Sequence, residues 1–161
     1  MTLEEQIGAL LKAQGLTLAT AESCTGGLLG HRITNVPGSS AYYLGGVIAY
    51  ANQAKEALLG VRPKTLLAHG AVSAETAQEM AHGARERFGA DVAVAVTGIA
   101  GPTGGTADKP VGLVYIALAA PDGERWERHL WSGDRLENKE LSAEAALRLL
   151  LDYLQERESN G

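Results

Sequence analysis

Apolar residues in the first fifteen positions recur at helical spacing: Leu3, Ile7, Leu10 and Leu11 share one face, and Gly15 follows as a stop. This predicts an amphipathic helix. The pattern then shortens to strand period. Residues 16–21 predict a short buried strand, and residues 42–50 a second, rich in β-formers but carrying Gly45 and Gly46. Between them, residues 25–33 read as a helix ended by the turn at 35–38. Residues 52–59 predict a short helix with Gly60 as its C-cap, and residues 74–88 a longer one that Ser73 can cap and Gly89 ends. The stretch ADVAVAV, residues 90–96, has the small and branched apolar side chains of a central strand. Past a glycine-rich loop, residues 113–119 and 125–131 predict two strands joined by a hairpin turn at Pro121, Asp122 and Gly123. A last helix is predicted over residues 137–154, with Asp134 and Glu137 at capping-box spacing, and the tail ERESNG is expected to fray.

This order of elements implies one three-layer α/β/α domain over residues 1–161, built on a mixed sheet of about five strands, because a terminal hairpin rules out an all-parallel sheet. The net charge of -5 argues against nucleic-acid binding, which needs a basic face. It leaves room for a small phosphorylated ligand, since a few cations or helix ends can hold one phosphate. The single cysteine, Cys24, allows no intrachain disulfide. The acidic N-terminus lacks the plan of a signal peptide, and no apolar run approaches a membrane span. The expected location is the cytoplasm.

Four segments carry candidate chemistry. In TAESCTGGLLG, Ser23 lies where a strand gives way to a helix, and unpaired backbone N–H groups at a helix start can stabilise an oxyanion. Ser23 or Thr25 could equally be a simple N-cap, while Gly26 and Gly27 let a ligand approach the backbone. Cys24 reads as a small buried thiol. In VIAYANQAKEALLGV, Asn52 reads as an N-cap and Lys55 as the third helical residue, where the helix field and burial both favour a neutral amine. The alternative is a lysine pointing into water. Tyr50 could donate a hydrogen bond into the same cleft or stand as an aromatic at the core edge.

In VTGIAGPTGGTADKPVG, Thr97 ends a strand, and Gly98, Gly101, Gly104 and Gly105 could offer N–H groups to a phosphate or an amide, unless the loop is merely a surface loop. Arg135 falls in the first turn of the last helix, a poor place for a cation unless an anion is shared with it or the side chain is solvated. His31, His69, His82 and His129 are scattered, without metal-ligand spacing, so no metal site is expected.

Taken together, AESCTGG at 21–27, PGSSAYYLGGVIAYANQAK at 37–55, HGAVS at 69–73, VTGIAGPTGG at 96–105, KPVGLVY at 109–115 and GDR at 133–135 resemble the C-terminal domain of the competence/damage-inducible CinA proteins. That resemblance covers nearly the whole chain. It implies a nicotinamide-nucleotide amidase that converts nicotinamide mononucleotide to nicotinate mononucleotide and ammonia in pyridine-nucleotide recycling, without metal or cofactor. It implies a serine–lysine pair, which falls on Ser23 and Lys55, with Tyr50 matching the tyrosine of the same stretch. Ser39 and Ser40 also lie within a matched motif and are candidates for substrate contact or for the nucleophile itself. Backbone N–H groups near Thr25 and Gly26 would hold the oxyanion, and the loop at 98–105 with Arg135 would hold the phosphate. A homodimer or higher homo-oligomer is expected by the same resemblance. The alternatives are a non-catalytic nucleotide-binding module, an amidase for a non-phosphorylated amide, and a competence or DNA-damage accessory protein.

Overall fold

A computed structural model describes residues 1–161. In chain order it contains α1 (Leu3–Gln14), β1 (Leu18–Glu22), α2 (Leu28–Thr34), a 3₁₀ turn (Ser39–Ala41), β2 (Tyr43–Ile48), α3 (Asn52–Leu59), α4 (Pro63–His69), α5 (Ala74–Phe88), β3 (Val92–Gly98), β4 (Leu113–Ala120), β5 (Gly123–Leu130) and α6 (Arg135–Asn160). The five strands form one sheet in the order β2-β1-β3-β4-β5. β2, β1 and β3 run parallel, while β4 and β5 continue antiparallel as the predicted hairpin. No helix is long and apolar enough to cross a membrane.

Strand alternation divides the core by side-chain size. Val92, Val94 and Val96 of β3 and Val114, Ile116 and Leu118 of β4 pack in one cluster with residues of α1, α2 and α6. The intervening Ala93, Ala95, Ala117 and Ala119, with Ala19 and Ala21 of β1, pack in a second cluster with α3 and α5. The large side chains supply most of the apolar burial, at about 1.5–3 kcal/mol for each one fully removed from water. The alanines let α5 lie close to the sheet. Close approach continues outward: a Cβ at Gly83 of α5 would sit 1.8 Å from the Leu59 carbonyl oxygen. Glycine there is what allows α3 to seat on α5.

Several boundaries differ from the predicted ones for identifiable reasons. α2 begins at Leu28, three residues late, because Gly26 and Gly27 take positive φ and close a turn instead. Ala51 is the N-cap of α3, so Asn52 is its first residue and Lys55 its fourth. α4 went unpredicted; Pro63 occupies its first turn, where a missing N–H is harmless. α6 starts at Arg135 and runs to Asn160 rather than fraying. Arg157 donates to the Gln14 side chain, and Glu156 pairs with Arg125, so the last turns are tied down. The Ser73 cap, the left-handed Gly15, Gly60 and Gly89, and the Asp134–Glu137 capping box stand where the sequence places them.

Candidate active site

From β1 the chain passes outward to β2, then returns to β3 on the other flank of β1. The carboxyl ends of β1 and β3 therefore border the crevice where α/β sheets usually hold ligands. A cavity of about 290 Å³ opens there. Ser23 and Cys24 enter it from the end of β1, Asn52 and Lys55 from α3, Thr97 and Gly98 from β3, and Arg135 from the start of α6. A larger groove of about 520 Å³ lies elsewhere, among Leu28, Arg32, Glu137, Glu140, Leu141 and Glu144, and contains no nucleophile.

Ser23 is fixed by its neighbours in the sheet. Its N–H donates to the Val96 carbonyl, and the preceding Glu22 carbonyl accepts from the Ala49 N–H. Its Oγ lies 3.0 Å from Lys55 Nζ. The amine also donates to the Tyr50 carbonyl at 2.9 Å. Lys55 is 1% exposed, a rare state for a lysine, and no carboxylate pairs with it. Burial pushes its pKa down, while the adjacent Cys24 acts weakly the other way. Burial is one of the two causes expected from the sequence; the position differs, since Lys55 stands at the fourth helical position rather than the third, with its own N–H bonded to the Ala51 carbonyl. Burial pushes the Cys24 thiol up to about 12, so it remains protonated and poorly nucleophilic.

The helix start after Ser23 is also arranged differently from the sequence reading. The Gly26 N–H donates to the Ser23 carbonyl and the Gly27 N–H to a Glu22 carboxylate oxygen, so neither is available to a ligand. The Thr25 hydroxyl is likewise engaged with Glu22. The Cys24 and Thr25 N–H groups, by contrast, have no acceptor within the protein. Ser39 and Ser40 lie in the 3₁₀ turn before β2, at the opposite end of the strands from Ser23, and do not line the cavity. Gly98, Gly101 and Gly104 line it; Gly105 does not, and instead packs on Val111. The Thr97 hydroxyl donates to the Ala71 carbonyl and pins that segment against the cavity. At the mouth, Arg135 donates to the Gly101 carbonyl at 2.7 Å and to the exposed Tyr50 hydroxyl at 3.1 Å.

Glu22, Asn138, Ala71 and Val72 were missed as participants in the sequence. Glu22 is a buried carboxylate, and its one signal is an acid ending the otherwise apolar strand LATAE. Asn138 is buried on α6, where its amide donates to the Ala100 and Gly133 carbonyls and accepts from the Gly133 N–H. It ties the helix to the glycine loop, with no local pattern to announce it. Ala71 and Val72 line the cavity through backbone placement alone. No group of three or more His, Cys, Asp or Glu side chains gathers as a metal-holding set.

Comparison with known proteins extends over the same chain. A profile of the CinA C-terminal domain matches residues 1–154. A CinA-like protein of Chloroherpeton thalassium is 57% identical over 158 residues, covering 96% of this chain and 38% of the relative. One from Chlorobaculum tepidum is 56% identical, covering 98% and 38%. The chain thus spans less than two fifths of the length of these curated relatives. Among solved structures, the competence/damage inducible protein CihA from Agrobacterium tumefaciens superposes with a TM-score of 0.89 at 45% identity, over 95% of this chain and 93% of that one. The competence damage-inducible protein A (ComA) from Klebsiella pneumoniae superposes with a TM-score of 0.92 at 37% identity, over 95% of each.

Proposed function

The chain belongs to the CinA C-terminal domain family, and from that premise we propose that it is a serine–lysine amidohydrolase acting on nicotinamide mononucleotide. The observation that carries this reading is the buried Lys55 amine 3.0 Å from Ser23 Oγ. An uncharged amine has two N–H groups and one lone pair. With one N–H held by the Tyr50 carbonyl, the lone pair can face the Ser23 hydroxyl. This repeats the logic of nucleophile, base and orienting group, with a backbone carbonyl as the orienting member.

The reaction runs in two halves. Ser23 Oγ attacks the carboxamide carbon as its proton passes to Lys55. The oxyanion faces the free N–H groups of Cys24 and Thr25. The intermediate collapses with cleavage of the C–N bond, and Lys55 gives its proton to the departing nitrogen, releasing ammonia and leaving an ester on Ser23. Water then attacks the ester, its proton goes to Lys55 and on to Ser23 Oγ, and nicotinate mononucleotide departs. The glycine loop from Gly98 to Gly104 lines the cavity with Arg135, which supports these groups as holders of the ribose phosphate. A cavity of about 290 Å³ lies at the small end for a ligand site, which supports a small substrate. The exposed Leu44 and Ile48 on edge strand β2, beside Tyr50, support a homo-oligomer whose interface runs near the cavity; the solution mass checks this.

The test is ammonia release from nicotinamide mononucleotide. The wild type should release ammonia and nicotinate mononucleotide in equal amounts, and Ser23→Ala and Lys55→Ala should each lose about three decades or more in rate. Binding of the nucleotide without ammonia release would identify a nucleotide-binding module instead. Equal rates on free nicotinamide would identify an amidase that does not read the phosphate.

A further inference from the structure

Glu22 is the residue before the proposed nucleophile, and it is 2% exposed without any cationic partner. A carboxylate buried in this way must be satisfied by hydrogen bonds. Four donors converge on it. One oxygen accepts from the Thr25 hydroxyl at 2.7 Å, the Leu29 N–H at 2.8 Å and the Gly27 N–H at 3.2 Å; the other accepts from the Gly30 N–H at 3.0 Å. Three of the four are backbone groups at or beside the start of α2, where N–H groups otherwise lack partners.

The direction of the side chains gives this clamp its meaning. Along β1, alternate residues face opposite sides of the sheet. Glu22 points to the side of α2, and the next residue, Ser23, to the side of α3, where Lys55 waits. Fixing Glu22 onto α2 therefore fixes the rotation of the chain at Ser23. We infer that Glu22 is a positioning residue: it sets the Ser23 hydroxyl against Lys55 without touching substrate. This rests on the reading of Ser23 as nucleophile.

The test compares wild type, Glu22→Gln and Thr25→Val by steady-state ammonia release and by the rate at which a fluorophosphonate probe labels Ser23, with thermal melts as a check on folding. In Glu22→Gln the amide must turn an N–H₂ toward the backbone donors. A nucleophile misplaced by about an ångström loses about a hundredfold in rate. The expected result is a fall of about tenfold to a hundredfold in both kcat and labelling rate, with KM within about twofold and the acid limb of the pH profile unmoved, because Lys55 keeps its own contacts. Thr25→Val should show a smaller loss of the same kind. Wild-type rates in folded Glu22→Gln overturn the inference, as does a loss shared between kcat and KM that merely follows the thermal midpoint. Should Glu22→Gln not fold, Thr25→Val decides: a selective kcat loss supports the inference, and wild-type kcat overturns it. If the wild type releases no ammonia yet Ser23 is labelled, the amide reading fails alone, and the labelling rates still judge Glu22. A wild type that neither releases ammonia nor takes label overturns both.

Discussion

Replacing Lys55 by methionine keeps most of the side-chain volume and removes the amine, and the effect on stability is expected to change with pH in a defined way. Burial holds the folded-state pKa of Lys55 below its ordinary value, which is about 10.4 in an unfolded chain. Above that value the amine is neutral in both states, and burial carries no ionisation penalty. As pH falls, the unfolded chain takes up the proton first. The unfolded state then binds more protons, and stability drops by as much as about 1.4 kcal/mol per pH unit. The drop stops once the folded-state pKa is passed, and the curve is flat below it. Methionine has no such window. The hydrogen bond to the Tyr50 carbonyl is lost in the variant, which costs about 1 kcal/mol, but that offset does not vary with pH. Cys24, whose charge would act on the amine, stays protonated to about 12 and contributes nothing in this range.

Urea denaturation of both proteins from about pH 6.5 to about pH 10.5 measures the difference. The stability of wild type relative to Lys55→Met should rise with pH at up to about 1.4 kcal/mol per unit over part of that range. The lower edge of the rising segment should coincide with the acid limb of kcat/KM, because both report the proton on the same free amine. A difference that stays constant with pH, or slopes the other way, would refute the claim that burial lowers the Lys55 pKa. An acid limb far from the edge would separate the catalytic base from this residue.

Other expectations follow from single contacts. Cys24→Ala should keep kcat within about threefold, and the native thiol should resist iodoacetamide, because burial keeps it protonated. Gly83→Ala should destabilise the protein by about 1–3 kcal/mol in thermal or urea melts, since the new Cβ would meet the Leu59 carbonyl oxygen. It should lower kcat as well, because α3 carries Lys55. Arg135→Gln should raise KM for nicotinamide mononucleotide about tenfold or more, with little change toward the unphosphorylated riboside, if the guanidinium reads phosphate; equal effects on both would assign it instead to holding Gly101 and Tyr50.

The fold was legible wherever local chemistry decides it. Ser73 and Gly89 bracket α5, the alternation of 92–96 marks the central strand, and Pro121 to Gly123 marks the hairpin. It was less legible where tertiary contacts override local preference. The tail of α6 stays helical through partners on α1 and β5. The turn at 23–27 replaces a helical start because Glu22 gathers its donors there. In the site, Ser23 could be read from its place where a strand ends, and Lys55 from a lysine early in a helix whose burial the structure bears out. Ser39 and Ser40 looked similar in sequence but stand at the wrong end of β2 for the cavity. Ala71 reaches the cavity wall, and Asn138 holds Ala100 of that wall, from far along the chain, through contacts that no short pattern encodes.

The most direct test of the mechanism is the acid-quenched reaction of wild-type protein with nicotinamide mononucleotide, digested and examined by mass spectrometry. An acyl-nucleotide ester is expected on the peptide containing Ser23, absent from Ser23→Ala and formed far more slowly in Lys55→Ala. An adduct on another side chain, or turnover by Ser23→Ala at the wild-type rate, would contradict the mechanism.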